Sequence, residues 1–135
     1  MNAQSNRQPH QRTRDDHATE LAEDYVEAIA SICHEHAVCR VTDLARHFAV
    51  SHVTVNRAVA RLERDGLVTK EPYAPIELTT RGRRLAKVSQ RRHDVVFAFL
   101  RALGVSEQTA AVDAEGIEHH VSAPTLRLME RFAQE

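Results

Sequence analysis

Residues 41–68, VTDLARHFAVSHVTVNRAVARLERDGLV, constrain the fold more than any other stretch of the chain. Leu44, Ala45 and Phe48 recur at the spacing of one helix face, with Thr42 placed to cap that helix. Ala49, Val50 and Ser51 interrupt the pattern, and Ser51 can cap a second helix. Val55, Ala58, Val59 and Leu62 line one side of it, and Gly66 ends it as a residue suited to the left-handed conformation. Two short helices on either side of a three-residue turn make a helix-turn-helix. In Leu67–Thr80, Val68, Tyr73, Ile76 and Leu78 are arranged around Pro72 and Pro75, which predicts a two-stranded wing.

The flanks are helical too. Leu21, Tyr25, Ile29 and Ile32 predict an amphipathic helix over 19–36, capped by Thr19 with Glu23 in the first turn. Before it, residues 1–18 are polar and aperiodic and predict a disordered tail. Thr80 opens a long helix that ends at Gly104. Its first half is basic (Arg81, Arg83, Arg84, Lys87, Arg91, Arg92) and its second half apolar (Val95, Val96, Phe97, Phe99, Leu100, Leu103). Ser106 starts a helix over 106–121, and Ser122-Ala-Pro opens a last one bearing Leu126, Leu128, Met129 and Phe132. The expected architecture is mainly α: a tail over 1–18, a winged helix-turn-helix over 19–80, and a linker helix with a helical C-terminal domain over 81–135.

Net charge is −1 over 135 residues, but it is unevenly spread. Residues 1–39 hold 3 basic and 7 acidic side chains, 40–92 hold 12 and 5, and 93–135 hold 3 and 7. A basic middle suits a polyanion, and acidic ends suit a cation. No apolar run approaches the roughly 18 residues of a membrane span. The N-terminal residues lack the apolar core of a secretory signal, and two cysteines make no disulfide framework, so a cytoplasmic location is expected. Trp is absent and aromatics make up 4% of the chain, which argues against a base-stacking sheet. There is no phosphate-binding glycine loop, no nucleophile elbow and no His-Glu-x-x-His zinc-protease order. Neither an enzyme nor a small-molecule substrate is expected.

The second helix of a helix-turn-helix enters the major groove of double-stranded DNA with its N-terminal side chains at base edges. Those are Ser51, His52, Thr54 and Val55, with Arg57, Arg61 and Arg64 further along. Ser, His and Thr hydrogen-bond bases, Val55 fits either a thymine methyl or the protein core, and the arginines suit bases or phosphates.

Three places carry metal donors. Asp24 and Glu27, at i and i+3, share a helix face. His93 sits where the long helix turns from basic to apolar. Glu115, Glu118 and His119 fall at i, i+3 and i+4 on one face. Each alone fits a solvated or structural role; together they give four carboxylates, two imidazoles and no thiolate. That set suits Mn²⁺ at near-octahedral geometry, although affinity order alone favours Zn²⁺ or Cu²⁺. A competing cluster, Cys33-His34-Glu35-His36-x-x-Cys39, offers softer zinc ligands, but its spacing matches no common zinc pattern.

Asp24-Tyr25-Val26-Glu27, the winged helix-turn-helix, Arg91-Arg92-His93-Asp94 and Asp113-Ala-Glu-Gly-Ile-Glu-His-His-Val-Ser122 resemble the diphtheria-toxin-repressor family, and within it the manganese transport regulators. The resemblance covers about residues 19–134. It implies a homodimer with N-terminal DNA-binding and C-terminal dimerisation domains, and metal bound between them. It implies that Asp24, Glu27, His93, Glu115, Glu118 and His119 are ligands, serving two nearby ions in manganese-type members. Iron-responsive relatives carry Met where Asp24 stands and Cys where Glu118 stands, which favours Mn²⁺ over Fe²⁺ here. The expected function is metal-dependent repression of manganese uptake from an operator, with an iron- or zinc-responsive regulator as the alternative. In this sequence the wing tip, Tyr73-Ala74-Pro75, has no basic residue of its own.

Overall fold

A computed structural model describes the backbone of residues 9–135 and the side chains of 17–135. The chain forms two compact units, with the boundary after Arg83.

In the first unit, α1 (Pro9–His36), α2 (Val41–Phe48) and α3 (His52–Arg64) precede an antiparallel pair, β1 (Val68–Thr69) and β2 (Glu77–Leu78). Val68 pairs with Leu78 and Thr69 with Glu77. Just before β2, the Ile76 N–H donates to the Cys39 carbonyl at 2.8 Å, so the segment leading into α2 adds a single bridge to the sheet. The core is built from Tyr25, Val26, Ile29 and Ile32 of α1, Leu44 and Ala45 of α2, Val55, Val59 and Leu62 of α3, and Cys39, Leu67, Val68 and Ile76. Tyr25 also packs on Phe48 with ring centroids 4.5 Å apart.

Helix boundaries depart from expectation where polar chemistry hides them. α1 starts at Pro9, so Thr19 lies inside the helix and caps nothing. Residues 10–18 are polar but contain good helix formers, and Pro9 fits a first helical turn; an all-polar stretch simply has no apolar period to read. Positions 9–18 of the expected tail are therefore helical, and positions 1–8 lie outside the described residues. Leu21, expected on the buried stripe, is 46% exposed. α2 is entered through Arg40 rather than Thr42: the Asp43 carboxylate accepts from the Arg40 N–H at 2.8 Å. A first-turn carboxylate thus satisfies a donor at the helix start, where negative charge is also favoured.

The turns hold the motif together. Ala49 closes α2 in the left-handed region (φ 55°), with Val50 N–H donating to Ala45 and Ala49 N–H to Arg46. Ser51 caps α3, its Oγ accepting from Thr54 N–H at 3.1 Å. Gly66 (φ +75°) ends α3 in a Schellman arrangement, with Leu67 N–H donating to Leu62 and Gly66 N–H to Glu63. Thr79 then caps α4 (Thr80–Ala102): its hydroxyl donates to the Gly66 carbonyl at 2.7 Å and accepts from Gly82 N–H at 3.0 Å. A Cβ at Gly82 would overlap the Leu67 carbonyl, so that close approach requires glycine.

The second unit contains the rest of α4, then α5 (Glu107–Ile117), a 3₁₀ turn (Glu118–His120) and α6 (Ala123–Gln134). Ser106 caps α5, and Ser122 precedes α6 with Pro124 in its first turn. The helix expected over 106–121 ends at Ile117 and tightens into the 3₁₀ turn, and α6 begins at Ala123. Ala86, Ser89, Val95, Val96, Ala110, Ala114 and Glu118 are buried. α6 meets α4 through Phe99–Phe132 (ring centroids 5.5 Å apart) and the Arg91–Glu130 ion pair at 3.0 Å. Yet α6 has no buried residue, and Leu103, Val112, Leu128 and Phe132 are between 46% and 73% exposed.

Candidate DNA-reading face and metal centre

α3 buries one stripe and exposes the rest. Val55, Val59 and Leu62 face inward, and Ser51, His52, Val53, Thr54, Asn56, Arg57, Arg61 and Arg64 face solvent. Val55, offered either as a DNA contact or as core, is fully buried and belongs to the core. It lies four residues before Val59 and seven before Leu62, on the stripe that packs the helix. Two exposed residues escaped the sequence reading. Val53, 61% exposed, is the apolar side chain available to a thymine methyl. Asn56, one turn on from His52, has the amide that suits adenine. For Asn56 the signal was present in the spacing, since i and i+4 from His52 share a face; Val53, at i+1, had none. The Ser51 and Thr54 hydroxyls are 3.0 Å apart, so both are partly committed to the cap.

The wing gains a cation from outside its own sequence. Arg40 Nη1 donates to the Tyr73 carbonyl at 3.5 Å, at a turn where Tyr73 is 99% exposed with φ 63°. A residue 33 positions away along the chain is invisible to local pattern.

In the second unit, His93 from α4, Glu115 from α5 and Glu118 from the 3₁₀ turn come together. One donor atom from each lies within 4.8 Å of the others. His93 Nδ1 is 3.2 Å from Glu115 Oε1, and His119 Nε2 is 3.7 Å from Glu118 Oε1. Glu118 is fully buried, and the side chain of His119 is 2% exposed. Placing a buried carboxylate beside a second carboxylate is costly unless positive charge offsets it. Around an ion with bonds of about 2.1 Å, adjacent octahedral donors lie about 3 Å apart and opposite ones about 4.2 Å. The 3.2 Å between His93 Nδ1 and Glu115 Oε1 is close to the spacing of adjacent donors on such an ion. Asp24 and Glu27 lie one turn apart on α1 in the first unit, both half-buried, and Glu20 stands one turn before Asp24 as a further carboxylate.

The Cys33–Cys39 cluster does not gather. His34, Glu35 and His36 are exposed, whereas Cys39 is buried. Burial, with Cys33 and Asp43 nearby, pushes the Cys39 thiol up to about 12; burial, then Glu77 and Asp43, raises that of Cys33. Raising a thiol makes the metal-binding thiolate harder to reach.

Residues 17–75 match the family model described as iron dependent repressor, N-terminal DNA binding domain. Residues 79–135 match its metal binding and dimerisation domain. The chain is 42% identical over 123 residues to the transcriptional regulator MntR of Escherichia coli O157:H7, covering 91% of this chain and 79% of that protein. It is 38% identical over 104 residues to the HTH-type transcriptional regulator MntR of Bacillus subtilis (strain 168), covering 77% and 73%. Among solved structures, a manganese-dependent transcriptional repressor complexed with manganese superposes with a TM-score of 0.75 at 28% identity. That match covers 84% of this chain and 52% of the other, so this chain spans about half of that protein.

Proposed function

The chain belongs to the iron-dependent repressor family, whose members are DNA-binding regulators rather than enzymes, and from that premise we propose that it is a manganese-responsive repressor of manganese uptake genes, acting as a homodimer in the cytoplasm. The observation that carries the metal assignment is the meeting of His93, Glu115 and Glu118, a hard, thiolate-free set on three separate elements. No helix among the described residues is long and apolar enough to cross a membrane.

In this reading Asp24, Glu27, His93, Glu115, Glu118 and His119 are the ligands, serving two ions per subunit. These residues would hold Mn²⁺, whose charge would offset that of the carboxylates. Metal loading selects the DNA-binding arrangement of the dimer. In a dimer that sets the separation of the two α3 helices near one turn of DNA, about 34 Å. A swing from 1:99 to 99:1 takes about 5.5 kcal/mol of differential binding. His52, Thr54, Asn56, Arg57 and Arg61 meet the duplex, with Ser51 capping α3. The exposed apolar residues of α4, α5 and α6 supply a dimer surface.

The test is binding to an operator-like palindromic duplex across Mn²⁺, Fe²⁺ and Zn²⁺, each buffered at its own free concentration. Mn²⁺ is expected to raise affinity strongly and a chelator to abolish the gain. Equal binding with and without metal overturns the reading, and a selective response to Fe²⁺ or Zn²⁺ transfers it to the alternative metal.

A further inference from the structure

By sequence, Arg92 belongs to the basic half of α4 and looks like one more cation for a phosphate. The structure puts it elsewhere. Arg92 is half-buried, and its Nη2 donates to the Val121 carbonyl at 2.6 Å. Its Nε is buried with no hydrogen-bond acceptor among the described residues. Arg91, one position earlier, is exposed and pairs instead with Glu130 at 3.0 Å. Successive helical positions point about 100° apart, so the two arginines serve different surfaces.

Val121 is where the 3₁₀ turn stops and the backbone becomes extended (φ −93°, ψ 127°). The last carbonyls of a helical segment have no partner within it, and a guanidinium is well suited to take one. Arg92 therefore pins the exit of the turn that carries Glu118 and His119, while His93, the next residue of α4, supplies a donor itself. We propose that Arg92 is a positioning residue for the metal centre, setting where Glu118 and His119 stand relative to His93. The inference rests on the metal reading above. It assigns Arg92 to the metal centre rather than to a phosphate.

Outer contacts that orient ligands change metal affinity by about 10–100-fold when removed. Full-length R92M, R92K and R91M are compared with the unsubstituted protein by Mn²⁺ titration against a chelating dye. The absorption bands of bound Co²⁺ report ligand geometry, and apo-protein circular dichroism reports folding. R92M is expected to weaken Mn²⁺ by about 10–100-fold and to shift the Co²⁺ bands. R92K, which keeps a donor but loses the planar fork, falls between, and R91M matches the unsubstituted protein. Unchanged affinity and bands in R92M, or an equal loss in R91M, overturns the proposal. If R92M fails to fold, R92K decides, since affinity equal to the unsubstituted protein then overturns it. E118Q separates the premises: if it leaves Mn²⁺ binding intact, the metal reading itself fails. If E118Q abolishes binding while R92M does not weaken it, only the role of Arg92 fails.

Discussion

His93 Nδ1 and Glu115 Oε1 lie 3.2 Å apart although the two residues are 22 positions apart in sequence and sit on different helices, α4 and α5. Glu118 completes the trio from the 3₁₀ turn, so removing any one of the three takes a donor from the cluster. Glu115→Ala is expected to cost more than about a hundredfold in Mn²⁺ affinity, beyond the usual effect of an outer contact. Metal-dependent DNA binding is lost with it, while sedimentation still reports the assembly of the unsubstituted protein. Unchanged Mn²⁺ titration in this variant removes Glu115 from the centre.

Most of this fold is legible in the sequence because apolar period and turn chemistry agree locally. Ser51, Gly66, Ser106 and Ser122 mark helix ends where the structure has them. Three kinds of feature were hidden. The polar first turns of α1 have no period to read. The tightening after Ile117 leaves no mark in the apolar period, and Arg92, which donates to the Val121 carbonyl, looks like surface charge. Arg40 reaches the wing only in three dimensions. Of the candidate centre, Glu115 and Glu118 were readable by spacing, but their meeting with His93 is a tertiary fact. Val55 was ambiguous for a physical reason: on a recognition helix the residues that read and those that pack alternate within one turn.

Val55→Ala separates those two roles. The side chain is fully buried, so truncation leaves a small cavity and costs about 2 kcal/mol of stability. Urea unfolding should show that loss. Operator affinity, measured where the variant is fully folded, should hold within about twofold. A large loss of affinity with unchanged stability returns Val55 to the DNA face.

Arg57 and Arg40 should weaken DNA binding in different ways. Arg57, exposed on α3 one turn past the helix start, is placed for base or phosphate; its replacement by Ala should cost about 1–3 kcal/mol of operator binding if it reads a base. Arg40, held at the wing turn by the Tyr73 carbonyl, is placed for phosphate. Arg40→Ala should weaken all sequences alike and lower the salt slope by about one. Mn²⁺ titration should be unchanged in both variants, and a lost metal site in either would make that arginine structural.

Cys39 gives a pH signature. Its thiol is raised in the fold from 9.0 to about 12 by burial, then by Cys33 and Asp43. A raised group favours folding below its unfolded value and loses that contribution as pH climbs to the folded one. Stability is therefore expected to fall from about pH 9 toward pH 12. Iodoacetamide at pH 9 should leave Cys39 unmodified in native protein and alkylate it in urea, as mass spectrometry can read out. Rapid native alkylation would contradict the burial.

Ala49 carries the one residue of the helix-turn-helix turn that sits in the left-handed region, at φ 55°. An alanine there clashes with its own backbone, at a cost of about 1 kcal/mol relative to glycine. The backbone bonds from Val50 to Ala45 and from Ala49 to Arg46 hold it in place regardless. Glycine relieves the strain but also loosens the unfolded chain, which gives part of the gain back. Ala49→Gly should therefore stabilise the protein by up to about 1 kcal/mol, raising the urea midpoint without changing the slope. Operator affinity should stay the same, because the turn keeps its geometry. A variant less stable than the unsubstituted protein would mean that the alanine methyl, exposed as it is, contributes packing that outweighs the strain of its backbone.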